Sequence, residues 1–130
     1  MLVTRETDYA TRAVLYLAHN QGGLANIAEI AEAMDISKPF LAKIAQRLIK
    51  SGILQSVRGV KGGLRLAKGP AEISLLSILE AIQGSTNINM CVAGHKECGL
   101  SPQCAVHPVW VDLRKEVERQ LRGRTIAELL

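Results

Sequence analysis

Three cysteines and a histidine crowd one short stretch of this chain. Cys91, Cys98 and Cys104 follow the spacing C-x6-C-x5-C, and His107 completes a C-x2-H. Thiolate and imidazole are soft ligands, suited to zinc or iron–sulfur chemistry rather than to magnesium or calcium. A free cysteine is most often a small buried apolar residue. The flanks argue against that here, because Asn87, Asn89, Gly94, Lys96, Glu97, Gly99, Ser101 and Gln103 are not core residues. Two metal chemistries fit the donor set: structural zinc in a Cys3His site, and an iron–sulfur cluster with one non-cysteine ligand. Zinc fingers draw ligands in close pairs such as C-x2-C, and this stretch has no such cysteine pair, so the wide cysteine spacing leans toward a cluster. A nucleophilic Cys–His pair would need an orienting acid and a substrate pocket, and nothing nearby suggests either. The chain is therefore not read as an enzyme, and no small-molecule substrate is expected.

A second chemistry lies in the charge distribution. Between Asp35 and Glu72 stand eight basic residues and no acidic one. Residues 1–70 carry a net charge of +5, residues 71–130 a net charge of −1. Such a run fits a surface that faces a polyanion. Aromatic content of 3% excludes a stacking platform for single strands. The glycine-rich stretch Gly59-Val60-Lys61-Gly62-Gly63 is not a nucleotide P-loop, since it lacks the Gly-Lys-Ser/Thr step into a helix.

These groups need elements to position them. Thr4 caps a predicted helix with Glu6 and Asp8 in its first turn and Ala10, Ala13, Val14, Leu17 and Ala18 at helical spacing. Asn20 to Gly23 stop it. Asn26 and Glu29 have capping-box spacing and open a short helix ending near Asp35. Ser37 caps the next, with Pro39 in its first turn, a buried face of Phe40, Leu41, Ile44, Ala45, Leu48 and Ile49, and a stop at Gly52. Two short helices so closely spaced predict a helix-turn-helix. Ile53–Val57 reads as a strand, Arg58–Gly63 as a turn and Leu64–Leu66 as a return strand. Ser74 opens a further helix that Gly84 closes. Residues 85–107 show no period. Pro108 starts a long, charged helix whose narrow stripe of Trp110, Leu113, Val117 and Leu121 reads as a dimer seam. Thr125 and Glu128 form a last capping box.

The expected fold is thus mainly α: a winged helix-turn-helix domain with a two-stranded wing and a long C-terminal dimerisation helix. Three units follow, a DNA-binding domain over 1–83, a cysteine-rich cluster-binding loop over 84–107, and the dimerisation helix with a short terminal helix over 108–130. Ser37, Lys38, Pro39, Lys43 and Arg47 would present the recognition helix to the major groove, with Gln46 beside Arg47. Arg58, Gly59, Lys61, Gly62 and Arg65 would bring the wing to the sugar-phosphate edge. At 130 residues and 14.1 kDa, with 48% hydrophobic and 22% charged residues, the chain has material for one core. It holds no apolar run of ~18–20 residues, so no membrane partner is expected. Its first residues lack a leader pattern, which predicts a cytoplasmic protein with reduced thiols.

Four stretches together resemble one family. They are Thr7-Asp8-Tyr9-Ala10, the wing VRGVKGGLRLAKGPAEISL, the three-cysteine loop, and the end TIAELL. They are similar to the bacterial winged-helix iron–sulfur transcription regulators that include IscR, NsrR and RirA. The resemblance implies a homodimer on a double-stranded DNA operator, with a 2Fe-2S or 4Fe-4S cluster on Cys91, Cys98 and Cys104. It offers two fourth ligands: His107, as in IscR-like members, or Asp8 from the partner subunit, as in NsrR-like members. CAVHPVWVDL is closer to the first kind and TRETDYATRAV to the second. The chain departs from IscR-like members in a first cysteine gap one residue longer and in Ala42 where they carry Glu. A zinc- or thiol-based redox regulator of the same fold, without a cluster, is the alternative.

Overall fold

The structure, a computed structural model, describes residues 2–20, 23–86, 88 and 103–130. Helix α1 spans Arg5–His19, and the Thr4 hydroxyl accepts from the Thr7 amide at its start. Helix α2 spans Ile27–Met34, with Asn26 Oδ1 accepting from the Glu29 amide at 2.8 Å. Asp35 then turns the chain in the left-handed region, at φ 54°, a conformation that Asp tolerates better than a branched residue. Helix α3 spans Lys38–Lys50 behind its Ser37 cap, with Pro39 in the first turn. The predicted helix-turn-helix is present as α2 and α3.

The wing follows. Strand β1, Leu54–Val57, pairs antiparallel with β2, Gly63–Leu66, setting Leu54 opposite Leu66 and Gln55 opposite Arg65. Ile53, expected as the first strand residue, is buried in the core just before it. A short third edge was not expected: Ala25 and Leu64 exchange backbone hydrogen bonds at 3.1 and 2.8 Å. That pairing explains Gly63, where a Cβ would lie 2.5 Å from the Ala25 carbonyl oxygen.

After a 3-10 turn at Pro70–Glu72, α4 spans Leu75–Gln83, capped by Ser74 and ended by Gly84 at φ 85°. Helix α5 spans His107–Arg122, starting one residue before the predicted Pro108. It packs on α4 and buries none of its residues fully. The core is formed by Leu17 of α1, Ile30 of α2, Leu41, Ile44 and Leu48 of α3, and Ile53, Ile73 and Ile78. The architecture is the expected one, a mainly helical winged helix-turn-helix with a two-stranded wing and a C-terminal helix.

The terminal segment returns to this core. A 3-10 turn over Ile126–Leu129 is held by the Thr125–Glu128 box, and Ile126 is fully buried beside Ile73. Ser74 and Thr125 bridge as a strand pair. Sequence reading grouped this segment with the long helix, whereas its one buried side chain belongs to the core of the winged unit. Ile126→Ala is expected to destabilise the chain by about 2–5 kcal/mol in denaturant unfolding. Leu129→Ala, at a side chain 44% exposed, is expected to stay within about 0.5 kcal/mol. Equal costs at the two positions would contradict the docking of this turn.

Candidate nucleic-acid interface and thiol centre

Helix α3 has two faces. Leu41, Ile44, Ala45 and Leu48 are buried, and Pro39, Lys43, Gln46 and Lys50 lie exposed opposite them. Ser37 and Lys38, at the helix start, are also exposed, with the Ser37 hydroxyl engaged in capping the Phe40 amide. Phe40 stacks edge-on against Tyr9 with ring centroids 5.7 Å apart, which fixes α3 on α1. Arg47 lies between the two faces. Its Nη1 donates to Glu6 Oε2 at 2.6 Å and to the Ile82 carbonyl at 3.4 Å. Sequence reading assigned Arg47 to the DNA; its partners, 41 and 35 residues away, left no local signal.

The wing tip is open. Arg58, Gly59, Val60 and Lys61 are exposed, with Gly59 at φ 111° and the Gly62 amide donating to its carbonyl at 2.9 Å. A Cβ on Gly62 would sit 2.1 Å from the Val57 carbonyl oxygen, so the turn demands glycine there. Arg65 Nε donates to Gln55 Oε1 at 3.2 Å across the strand pair, which holds its guanidinium on the exposed face of the hairpin. Both α3 and the wing thus expose basic side chains on elements anchored in the core.

Of the cysteines, Cys91 and Cys98 lie outside the described residues. Cys104 is a half-buried free thiol. The His107 amide donates to the Cys104 carbonyl at 3.2 Å, in the turn that opens α5. The His107 ring is half-buried, and its Nδ1 is buried with no hydrogen-bond partner among the described residues. Buried polar atoms are normally paired, so this nitrogen calls for a partner. Asp8 sits elsewhere, on the exposed side of α1, in an ion pair with Arg12 at 3.1 Å. Among the described residues, no three ligating side chains converge on a metal site. The stripe of α5 is only partly covered. Trp110, Val117 and Leu121 are half-buried, while Leu113 and the neighbouring Val106 and Val109 are 43%, 41% and 57% exposed.

Two contacts that sequence reading missed anchor the segment's approach. Gln83, at the end of α4, accepts at Oε1 from the Thr4 amide and the Thr7 hydroxyl, at 2.9 and 2.7 Å, and donates to the Leu2 carbonyl. The buried Thr86 hydroxyl donates to Glu118 Oε1 on α5 at 2.5 Å, and Arg114 pairs with the same oxygen at 3.0 Å. The Gln83 and Thr86 contacts each join residues at least 32 apart.

The sequence pattern of the Rrf2 family, described as iron-dependent transcriptional regulators, matches residues 3–130. The chain belongs to the Rrf2 family. It is 36% identical over 132 residues to the transcriptional regulator NsrR of Geobacillus kaustophilus, covering all of this chain and 90% of that one. It is 34% identical to IscR of Serratia proteamaculans over 131 residues, covering all of this chain and 79% of the relative. Among solved structures, IscR of T. potens superposes with a TM-score of 0.76 at 29% identity, over 98% of this chain and 84% of the other. CymR of B. subtilis, a global cysteine regulator, shares the fold with a TM-score of 0.78 at 20% identity, over 98% and 94% of the two chains. As an Rrf2 member, the chain is a DNA-binding transcription regulator and not an enzyme. Among the described residues, no helix is long and apolar enough to cross a membrane.

The Thr86 and Arg114 contacts hold the Glu118 carboxyl below its ordinary value of 4.5, the Thr86 hydrogen bond contributing most and partial burial opposing it. A depressed carboxylate stabilises the fold above its unfolded pKa and loses that contribution as pH falls through the folded value. Glu118→Gln is therefore expected to lower the unfolding midpoint at neutral pH and to converge with the parent chain on acidification below about pH 4. A difference that persisted unchanged down to about pH 2 would contradict this role.

Proposed function

We propose that this Rrf2 member is a homodimeric repressor that reads iron–sulfur status, redox state or nitric oxide through a cluster held by Cys91, Cys98, Cys104 and His107. The observation that carries this reading is the unpartnered His107 Nδ1, buried in the turn that begins at the Cys104 thiol. An imidazole nitrogen withheld from water and unpaired among the described residues is suited to a metal. Asp8 of the partner subunit is the other fourth ligand to be tested. Its pairing with Arg12 on an exposed face leaves it less committed than the His107 nitrogen.

A two-iron or four-iron cluster would supply metal–thiolate bonds that are lost on oxidation or on reaction with nitric oxide. The chain's own residues do the rest. Thr86 and Glu118 tie the entry of the cysteine segment to α5. Gln83 ties the preceding turn to the start of α1. The open strip at Val109 and Leu113, with the half-buried Val117, gives α5 a surface to set against its copy. A two-fold pairing places two α3 helices on successive major-groove faces, about 34 Å apart. Lys43 and the α3 N-terminus then meet base edges and phosphates, and Arg58, Lys61 and Arg65 of each wing meet the backbone or the minor groove. Freedom gained or lost in the segment between α4 and α5 shifts the spacing of the two α3 helices, and with it operator affinity.

Native mass spectrometry of the full chain, purified anaerobically without added metal, tests the reading. A dimer carrying iron and sulfide is expected, and Cys104→Ala should abolish that mass increment. Loss of iron in His107→Ala but not in Asp8→Ala would assign the fourth ligand to His107. A dimer carrying zinc alone, or bare thiols, would overturn the cluster and favour the zinc- or thiol-based regulator.

A further inference from the structure

The ion pair between Arg47 and Glu6 ties α3 to α1 at the edge of the proposed DNA-facing surface. Arg47 is four residues beyond Lys43, and so about 40° round the helix from it. It lines two depressions at once. One is a groove of about 370 Å³ shared with Lys43, Gln46 and Lys50. The other is a cleft of about 630 Å³ shared with Thr4, Arg5, Glu6, Gln83 and Ser85. A guanidinium on that ridge can serve either side. In this structure it serves the second, and only through Nη1. Its Nε and Nη2 have no partner among the described residues. Lys43 and Lys50, on the first side, carry no ion pair among the described residues.

We propose that Glu6 is an internal competitor of DNA phosphate for Arg47, and that it sets how tightly this chain holds duplex DNA. The side chains of the pair are 47% and 42% exposed, so the contact is open to water and screened by salt. A backbone phosphate also presents two unesterified oxygens to a guanidinium and carries a full negative charge. Arg47 therefore exchanges one anionic partner for another when α3 approaches DNA, and the chain gives up the Glu6 contact to make the new one. The Glu6 carboxylate is left on the rim of a polyanion, which adds repulsion to that loss. With Glu6 removed, Arg47 starts unpaired and binding is tighter. The advantage is largest at low salt, where both charge contacts are strongest.

This inference rests on the reading of α3 as the DNA-contacting helix, and one experiment separates the two. Fluorescence anisotropy is measured on the full chain with a labelled mixed-sequence duplex of about 30 base pairs, at about 50 and 200 mM salt. Glu6→Gln is expected to tighten binding by about two- to fivefold at the lower salt, in keeping with an exposed pair. The gain should shrink at the higher salt and vanish when Arg47 is replaced by Ala. Glu6→Asp keeps the charge but shortens the reach, and should show part of the gain. It also serves should Glu6→Gln fold poorly. Unchanged or weaker binding by both Glu6 variants would make the pair a structural strut and overturn the inference. So would an equal gain in the Arg47→Ala background, which would mean a long-range charge effect. Lys43→Ala distinguishes the failures. If it weakens binding while the Glu6 variants do nothing, only the competition falls. If it leaves affinity unchanged, the placement of α3 on DNA falls first and the inference with it.

Discussion

Burial of Leu41, Ile44 and Leu48 pins one face of α3 to the core, and that burial decides what the opposite face can do. With its apolar side held by α1 and α2, the helix cannot roll. Lys43, Gln46 and Lys50 are therefore presented at fixed angles to solvent. The Phe40–Tyr9 ring contact adds lateral restraint from α1. The wing depends on the same body. Leu54 and Leu64 anchor its base in the core, and the Ala25–Leu64 pairing fixes β2 to the segment that opens α2. The exposed tip between them carries charge without needing to pack, since its support lies at the base.

Two junctions flank the cysteine segment. On one side α4 ends at Gln83, which bonds the start of α1. On the other, Thr86 reaches Glu118 on α5. Helix α5 buries no residue fully and leaves Val109 and Leu113 open. Helix α5 is thus the less constrained of the two supports. Docking of Ile126 beyond its end ties it back to the winged unit. A ligand-rich segment strung between a rigid body and a helix with an open apolar strip is well placed to link local chemistry to the geometry of a pair of subunits.

Local interactions were legible in the sequence. Thr4, Asn26, Ser37, Ser74 and Thr125 announce their caps because the bonds they make span three residues, and all five begin helical turns as expected. Apolar spacing likewise identified most of the buried faces of α1, α3 and α4, although Ile49, expected on the buried face of α3, is exposed. The family was legible too, because the wing and the cysteine loop carry specific patterns. What sequence could not show were meetings of distant residues. The Ala25–Leu64 edge, the Gln83 clamp, the Thr86–Glu118 bond and the docking of Ile126 each join segments that only the folded chain brings together. Arg47 shows the same blindness at a candidate site. Its charge and helix position point to DNA, and only the fold reveals that Glu6 holds it first.

In the proposed function, the chemistry of the cysteine segment and the affinity of α3 for DNA are coupled. The most direct test is operator binding by one anaerobic preparation, measured before and after iron is removed by a chelator under reducing conditions, with dimer mass followed in parallel. A coupled system is expected to change its affinity for at least one operator by roughly 5–150-fold, the usual range for linked sites. Equal affinity of the two forms for every operator tested, with the dimer intact in both, would contradict the account.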